Sequence, residues 1–107
     1  MSNVQFLQSA DYAKKVEKST RPVILDFGAE WCSPCKRLSP ILENLAAEWT
    51  GKVDVFSVDA DSSSDLVMRY GVMSLPTLVL IKSGKEVTRV VGLQNKEKLI
   101  AHFTPHL

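Results

Sequence analysis

The run Val23-Ile24-Leu25-Asp26-Phe27 constrains the fold more than any other stretch of the chain. Successive side chains of an extended segment point to opposite faces, so this run is apolar on both faces and interrupted only at Asp26. A strand without a polar face belongs in the interior of a sheet that is covered on both sides, which is the architecture of α/β folds. Val53 to Val58 and Thr77 to Ile81 are two further apolar runs, and Val4 to Leu7 reads as a short edge strand.

Between these strands the apolar period lengthens to three and four residues. Ser9 is placed to cap a helix reaching Lys18, with Tyr12, Ala13 and Val16 on one face. From Cys32 or Ser33 to Trp49 a long helix carries Leu38, Ile41, Leu42, Leu45 and Ala46; Pro40 is expected to kink it and Gly51 to end it. Ser62 and Asp65 make an S-x-x-D start for a helix that stops at Gly71, with Leu66 and Val67 inward. Ser83-Gly84-Lys85 turns a hairpin into Glu86 to Val91, and Asn95 caps a last helix with Leu99, Ile100 and Phe103, ended by Pro105. The order β-α-β-α-β-α-β-β-α predicts an α/β chain with a largely parallel sheet and an antiparallel hairpin at its edge.

A chain of 107 residues fits one domain, residues 1–107, with no linker or repeat inside it. A net charge of +1 gives no electrostatic case for nucleic acid or an anionic membrane as partner. No segment approaches the roughly 18 apolar residues of a membrane span. The opening MSNVQFLQSADYAKK lacks the basic and apolar regions of a signal peptide, so a cytoplasmic location is expected. There a disulfide is usually transient and catalytic.

That bears on the only cysteines, Cys32 and Cys35, which stand three apart at a helix start and therefore share a face. Unpaired N–H groups and partial positive charge at the helix N-terminus favour an anion, so the first thiol, Cys32, is the expected nucleophile and leaving group. Pro34 fits the first turn, where its missing N–H costs nothing. Cys32 would attack a substrate disulfide, and Cys35, expected deeper in the helix, would then release the reduced substrate. A purely structural bridge would close so short a loop for only about 2 kcal/mol. A zinc site combining C-x2-C with His102 and His106 is the metal alternative. It is disfavoured because 66 residues separate Cys35 from His102 and because Pro105 divides the histidines.

Asp26 leads directly into the cysteine loop, and a buried carboxylate tends to retain its proton toward neutral pH. It is therefore a candidate general base for Cys35; the alternative is an aspartate satisfied by local hydrogen bonds or by Lys36. Trp31 in the turn before the helix is expected to be partly exposed and to dock a partner. The Leu75-Pro76 bond can be cis or trans from sequence alone.

With DFGAEWCSPCK, Pro40, Val58-Asp59-Ala60-Asp61, Tyr70-Gly71-Val72, Leu75-Pro76-Thr77, Gly84 and Gly92, the chain resembles the thioredoxin family over essentially its whole length. The resemblance implies the thioredoxin fold, a central mixed sheet of about five strands flanked by four helices. It implies a protein-disulfide reductase with Cys32 as nucleophile, Cys35 as resolving thiol and Asp26 as buried base. Pro76 would be cis, Leu75 would offer backbone hydrogen bonds, and Trp31, Leu75, Val91 and Gly92 would form the docking surface. A thioredoxin reductase and disulfide-containing proteins would be the partners of a monomer holding no bound cofactor or metal. Ser33 and Pro34 lie where the family tunes the reduction potential. Ser33, Gly28, Ser57 and Ser74 depart from the family's usual glycine, bulky aromatic, lysine and glycine. An oxidant, an isomerase, a dedicated redox partner and a non-catalytic binding module are the alternatives on the same fold.

Overall fold

The computed structural model describes residues 3–107; the first two residues of the opening segment read above lie outside the described residues. Five strands, β1 (Val4–Phe6), β2 (Val23–Gly28), β3 (Asp54–Asp59), β4 (Thr77–Lys82) and β5 (Lys85–Val91), form one sheet in the order β1-β3-β2-β4-β5. The doubly apolar run thus becomes the central strand. Three helices, α1 (Ser33–Glu48), α2 (Ser64–Arg69) and α3 (Lys96–Phe103), join a helical segment between β1 and β2.

Strand alternation assigns the two cores. Val23, Leu25 and Phe27 point to the face with Tyr12, Val16 and Leu66. Ile24 points to the other, with Leu38, Leu42 and Leu45 of α1 and Leu99 and Phe103 of α3. Asp26 and Gly28 continue the Ile24 row, so the period of two alone puts the carboxylate under α1.

The sheet is less parallel than the element order predicts. β1 and β2 run parallel to β3, but β4 is antiparallel to both β2 and β5. Six residues span about 20 Å as a strand but only about 9 Å as a helix, so α2 is too short to carry the chain back along β3. The chain instead re-enters the sheet at the end it has just left, with Thr77 opposite Phe27.

Local differences have local causes. The segment after β1 is not one α-helix but a 3-10 turn, Ser9–Asp11, followed by a wider π-type helix, Ala13–Glu17. Ser9 does not cap it; its hydroxyl donates to Asp65 Oδ1 at 2.6 Å. Ala13, expected inward, is exposed. α2 starts one residue late, with Ser63 rather than Ser62 as its N-cap and no side-chain capping bond. Ser83 and Gly84 both adopt positive φ, 53° and 77°, the signature of a two-residue I′ hairpin, so β5 begins already at Lys85. α1 runs through Pro40, which is exposed on the side away from the sheet.

Asn95 caps α3 as expected, its Oδ1 accepting the Lys98 N–H at 2.9 Å. Asn95→Ala should lower stability by about 1 kcal/mol, and Asn95→Gly by only a few tenths, in urea unfolding. Equal losses would show that the cap bond is not what the site contributes.

Candidate active site

Cys32 is the N-cap of α1, in extended backbone geometry, and its Sγ accepts the Cys35 N–H at 3.2 Å. Ser33 and Pro34 make the first turn, as the sequence requires. Cys32 and Cys35 are joined as a disulfide, their Cα atoms 5.3 Å apart. A sulfur that receives an N–H from the first turn of a sixteen-residue helix sits where negative charge is favoured.

The disulfide has two unlike sides. On the front, Trp31, Cys32, Pro34, Val72, Met73 and Leu75 line an open groove of about 530 Å³. Cys32 is only 5% exposed and reaches the surface through this groove. Trp31 is 70% exposed, and its Nε1–H donates to Asp61 Oδ2 at 2.9 Å, so a polar bond rather than the core orients the ring. The Leu75–Pro76 bond is cis. The Pro76 carbonyl accepts the Gly92 N–H at 2.8 Å, and Val91 lies opposite Thr77 and is exposed. Trp31, Leu75, Pro76, Val91 and Gly92 are therefore gathered at the end of the sheet where β2 finishes. Sequence reasoning missed Met73, which is 97% exposed on the groove wall, and Asp61. Met73 belongs to no apolar period, which was the available signal for a surface role.

On the back, a cavity of about 300 Å³ is lined by Asp26, Gly28, Cys35, Lys36, Ser39 and Ser57. Cys35 stands further along α1 than Cys32, as expected, yet it is half-buried whereas Cys32 is covered. Gly28 is the reason. A Cβ built there would stand 3.4 Å from both Cβ and Sγ of Cys35, so any side chain at this position would pack against Cys35 and cover it further.

Ser57 is the register partner of Asp26 on β3, which places this departure from the family beside the carboxylate. Neither Ser57 nor Lys36 supplies a hydrogen bond to Asp26 Oδ1, which has no partner among the described residues. Burial without compensation pushes the Asp26 carboxyl up to about 6.

The two histidines lie apart from this apparatus. His102 Nε2 and the Thr88 hydroxyl share a hydrogen bond of 2.8 Å, and His102 and His106 have ring centroids 6.4 Å apart. Among the described residues no group of three or more His, Cys, Asp or Glu side chains is placed to hold a metal ion. Nor is any described helix long and apolar enough to cross a membrane.

A redox-capable cysteine pair at the start of a helix, carried by the central strand of a mixed sheet, defines a thiol–disulfide oxidoreductase. The family profile described as Thioredoxin matches residues 3–104. Thioredoxins of Staphylococcus aureus strains Mu50 and MW2 are each 44% identical over 98 residues, covering 92% of this chain and 92% of their own length. The chain belongs to the thioredoxin family.

Burial of Asp26 also fixes a pH dependence of stability. The folded protein holds this proton up to about pH 6, against 3.8 for the solvated side chain, so it binds more protons than the unfolded chain across that window. Stability contributed by the site is therefore present below the unfolded value and lost as pH rises through the folded one. Asp26→Asn should stabilise the protein at pH 7 by up to about 3 kcal/mol, with the gain fading below pH 4. An advantage that is the same at pH 4 and pH 7 would rule out ionisation as its source.

Proposed function

We propose that the chain reduces disulfides in other proteins, with Cys32 as nucleophile and Cys35 as resolving thiol. The observation that carries this assignment is the two-sided site: the Cys32 sulfur caps α1 and faces the groove, while Cys35 faces the cavity that holds Asp26. A polypeptide lying in the groove meets Cys32 and not Cys35. The Cys32 thiolate, stabilised by the α1 N-terminus, attacks one sulfur of the substrate disulfide and expels the other as a thiolate. Cys35 then attacks Cys32 Sγ, the mixed disulfide breaks, and the substrate leaves reduced.

Asp26 takes the Cys35 proton in this second step. A carboxyl held at about 6 is mostly ionised at pH 7 yet basic enough to accept a proton. Its unpartnered Oδ1 and its place on the cavity shared with Cys35 support the role. Trp31, Leu75, Pro76, Val91 and Gly92 dock the substrate segment. Neither the N–H nor the carbonyl of Leu75 joins a backbone hydrogen bond among the described residues, which leaves both for an extended peptide. Ser33 and Pro34, in the first turn, set the potential of the pair.

The 107 residues act as one monomeric cytoplasmic domain without a bound cofactor, and a thioredoxin reductase returns the disulfide to the dithiol. The test is insulin reduction together with the reduction potential. Cys32→Ser should abolish insulin reduction. In the unmodified protein, substrate release should fall as pH drops through about 6, and Asp26→Asn should slow release at pH 7. The pair should titrate near −270 mV, the general thioredoxin value; about −180 mV would mark an oxidant or isomerase instead.

A further inference from the structure

The rear cavity gives the disulfide a second entrance, and it opens on the sulfur that the groove does not present. Three observations converge there. Cys35 is the more exposed of the two cysteines, and Gly28 leaves the space beside its Sγ on the β2 side unfilled by a side chain. The cavity measures about 300 Å³, the space of about ten water molecules, enough for a small molecule and too little for a folded partner. Its wall bears the carboxylates of Asp26, Glu30 and Asp59 against the single ammonium of Lys36. Such a wall favours a cationic guest over an anionic one.

Given the exchange chemistry proposed above, we propose that small thiols carrying a cationic amine reduce the disulfide from this cavity by attacking Cys35. The thiolate of the aminothiol attacks Cys35 Sγ, the Cys32–Cys35 bond breaks, and its electron pair leaves on Cys32. A second thiolate attacks the small-molecule sulfur of the mixed disulfide and frees Cys35, which takes up a proton. In sum, two thiols are oxidised to one small disulfide and the protein disulfide is reduced to two thiols.

Direction of attack matters because exchange is faster when the departing thiolate is the better stabilised one. Attack on Cys35 expels Cys32, the sulfur that caps α1 and receives the Cys35 N–H at 3.2 Å. Attack on Cys32 would expel Cys35, which has no such position at the helix end. The rear route therefore combines the accessible sulfur with the favoured leaving group.

The reverse half-reaction isolates Cys35. Reduced Cys32→Ser keeps a capping side chain and leaves one thiol. It is mixed with cystamine, 2-hydroxyethyl disulfide and dithiodiglycolate, which carry positive, neutral and negative ends. Adduct formation is followed by mass spectrometry, each rate being divided by that of the same disulfide with free cysteine. An adduct should form on Cys35, about tenfold faster with cystamine than with dithiodiglycolate. Adding Gly28→Phe should slow the cystamine reaction at least about tenfold, and Gly28→Val should slow it less, since both fill the same space against Cys35. No adduct on Cys35, or rates independent of charge and of residue 28, would overturn the proposal. Insulin reduction by the unmodified chain is measured alongside. Its absence removes the proposed function as well, whereas insulin reduction without a Cys35 adduct overturns the rear route alone.

Discussion

Coverage of β2 on both faces is the constraint from which the site follows. Val23, Leu25 and Phe27 are held by one core and Ile24 by the other, so the apolar side chains of the strand are closed off from bulk water. A carboxylate placed in such a strand must go inside. The alternation then leaves no choice of side: Asp26 joins Ile24 on the face that α1 covers, and α1 begins with the cysteines. The strand that stabilises the fold also imposes the one buried, unpartnered oxygen among the described side chains. Fold stability and ionisation are opposed at this residue, and the hydrophobic rows on either side are what hold it in place.

The helix start imposes a second asymmetry. Capping fixes the Cys32 sulfur against the free N–H groups of the first turn, and the helical spacing puts Cys35 on the sheet side. Each sulfur thus receives a different environment from the same few residues. One faces a groove built from Trp31, the Val72–Leu75 segment and the first turn; the other faces a cavity whose size is set by two small residues, Gly28 and Ser57. In a relative with bulk at those positions the second environment would be filled, and the pair would have a single open side.

Much of this was legible in the sequence where the signal is local and periodic. The central strand, the long helix, the Asn95 cap and the position of the cysteines follow from apolar spacing and capping chemistry alone. The direction of β4 did not, because element order is the same for a strand that runs up or down; the length of α2, known only to within a turn from sequence, decides it. Ser9 and Ser62 look like caps because their hydroxyls could serve, yet Ser9 is taken by Asp65, fifty-six residues away, and α2 starts from Ser63. The relative exposure of the two cysteines is not legible either: it depends on what residue 28 lacks, and a missing side chain carries no pattern. Asp61 was legible only as part of a family motif, since its bond to Trp31 joins two loops.

The Ser83–Gly84 hairpin has a use unrelated to redox chemistry. Ile81 sits opposite Val23, at the start of β2, whereas both cysteines, the groove and the cavity gather where β2 ends. A strand of six residues, about 20 Å, therefore separates the turn from the chemistry. Such a tight, polar, surface turn is the natural point for an inserted peptide, a label or a tether to a solid support. Attached there, the molecule would stand with its reactive pole outward, every copy in the same orientation.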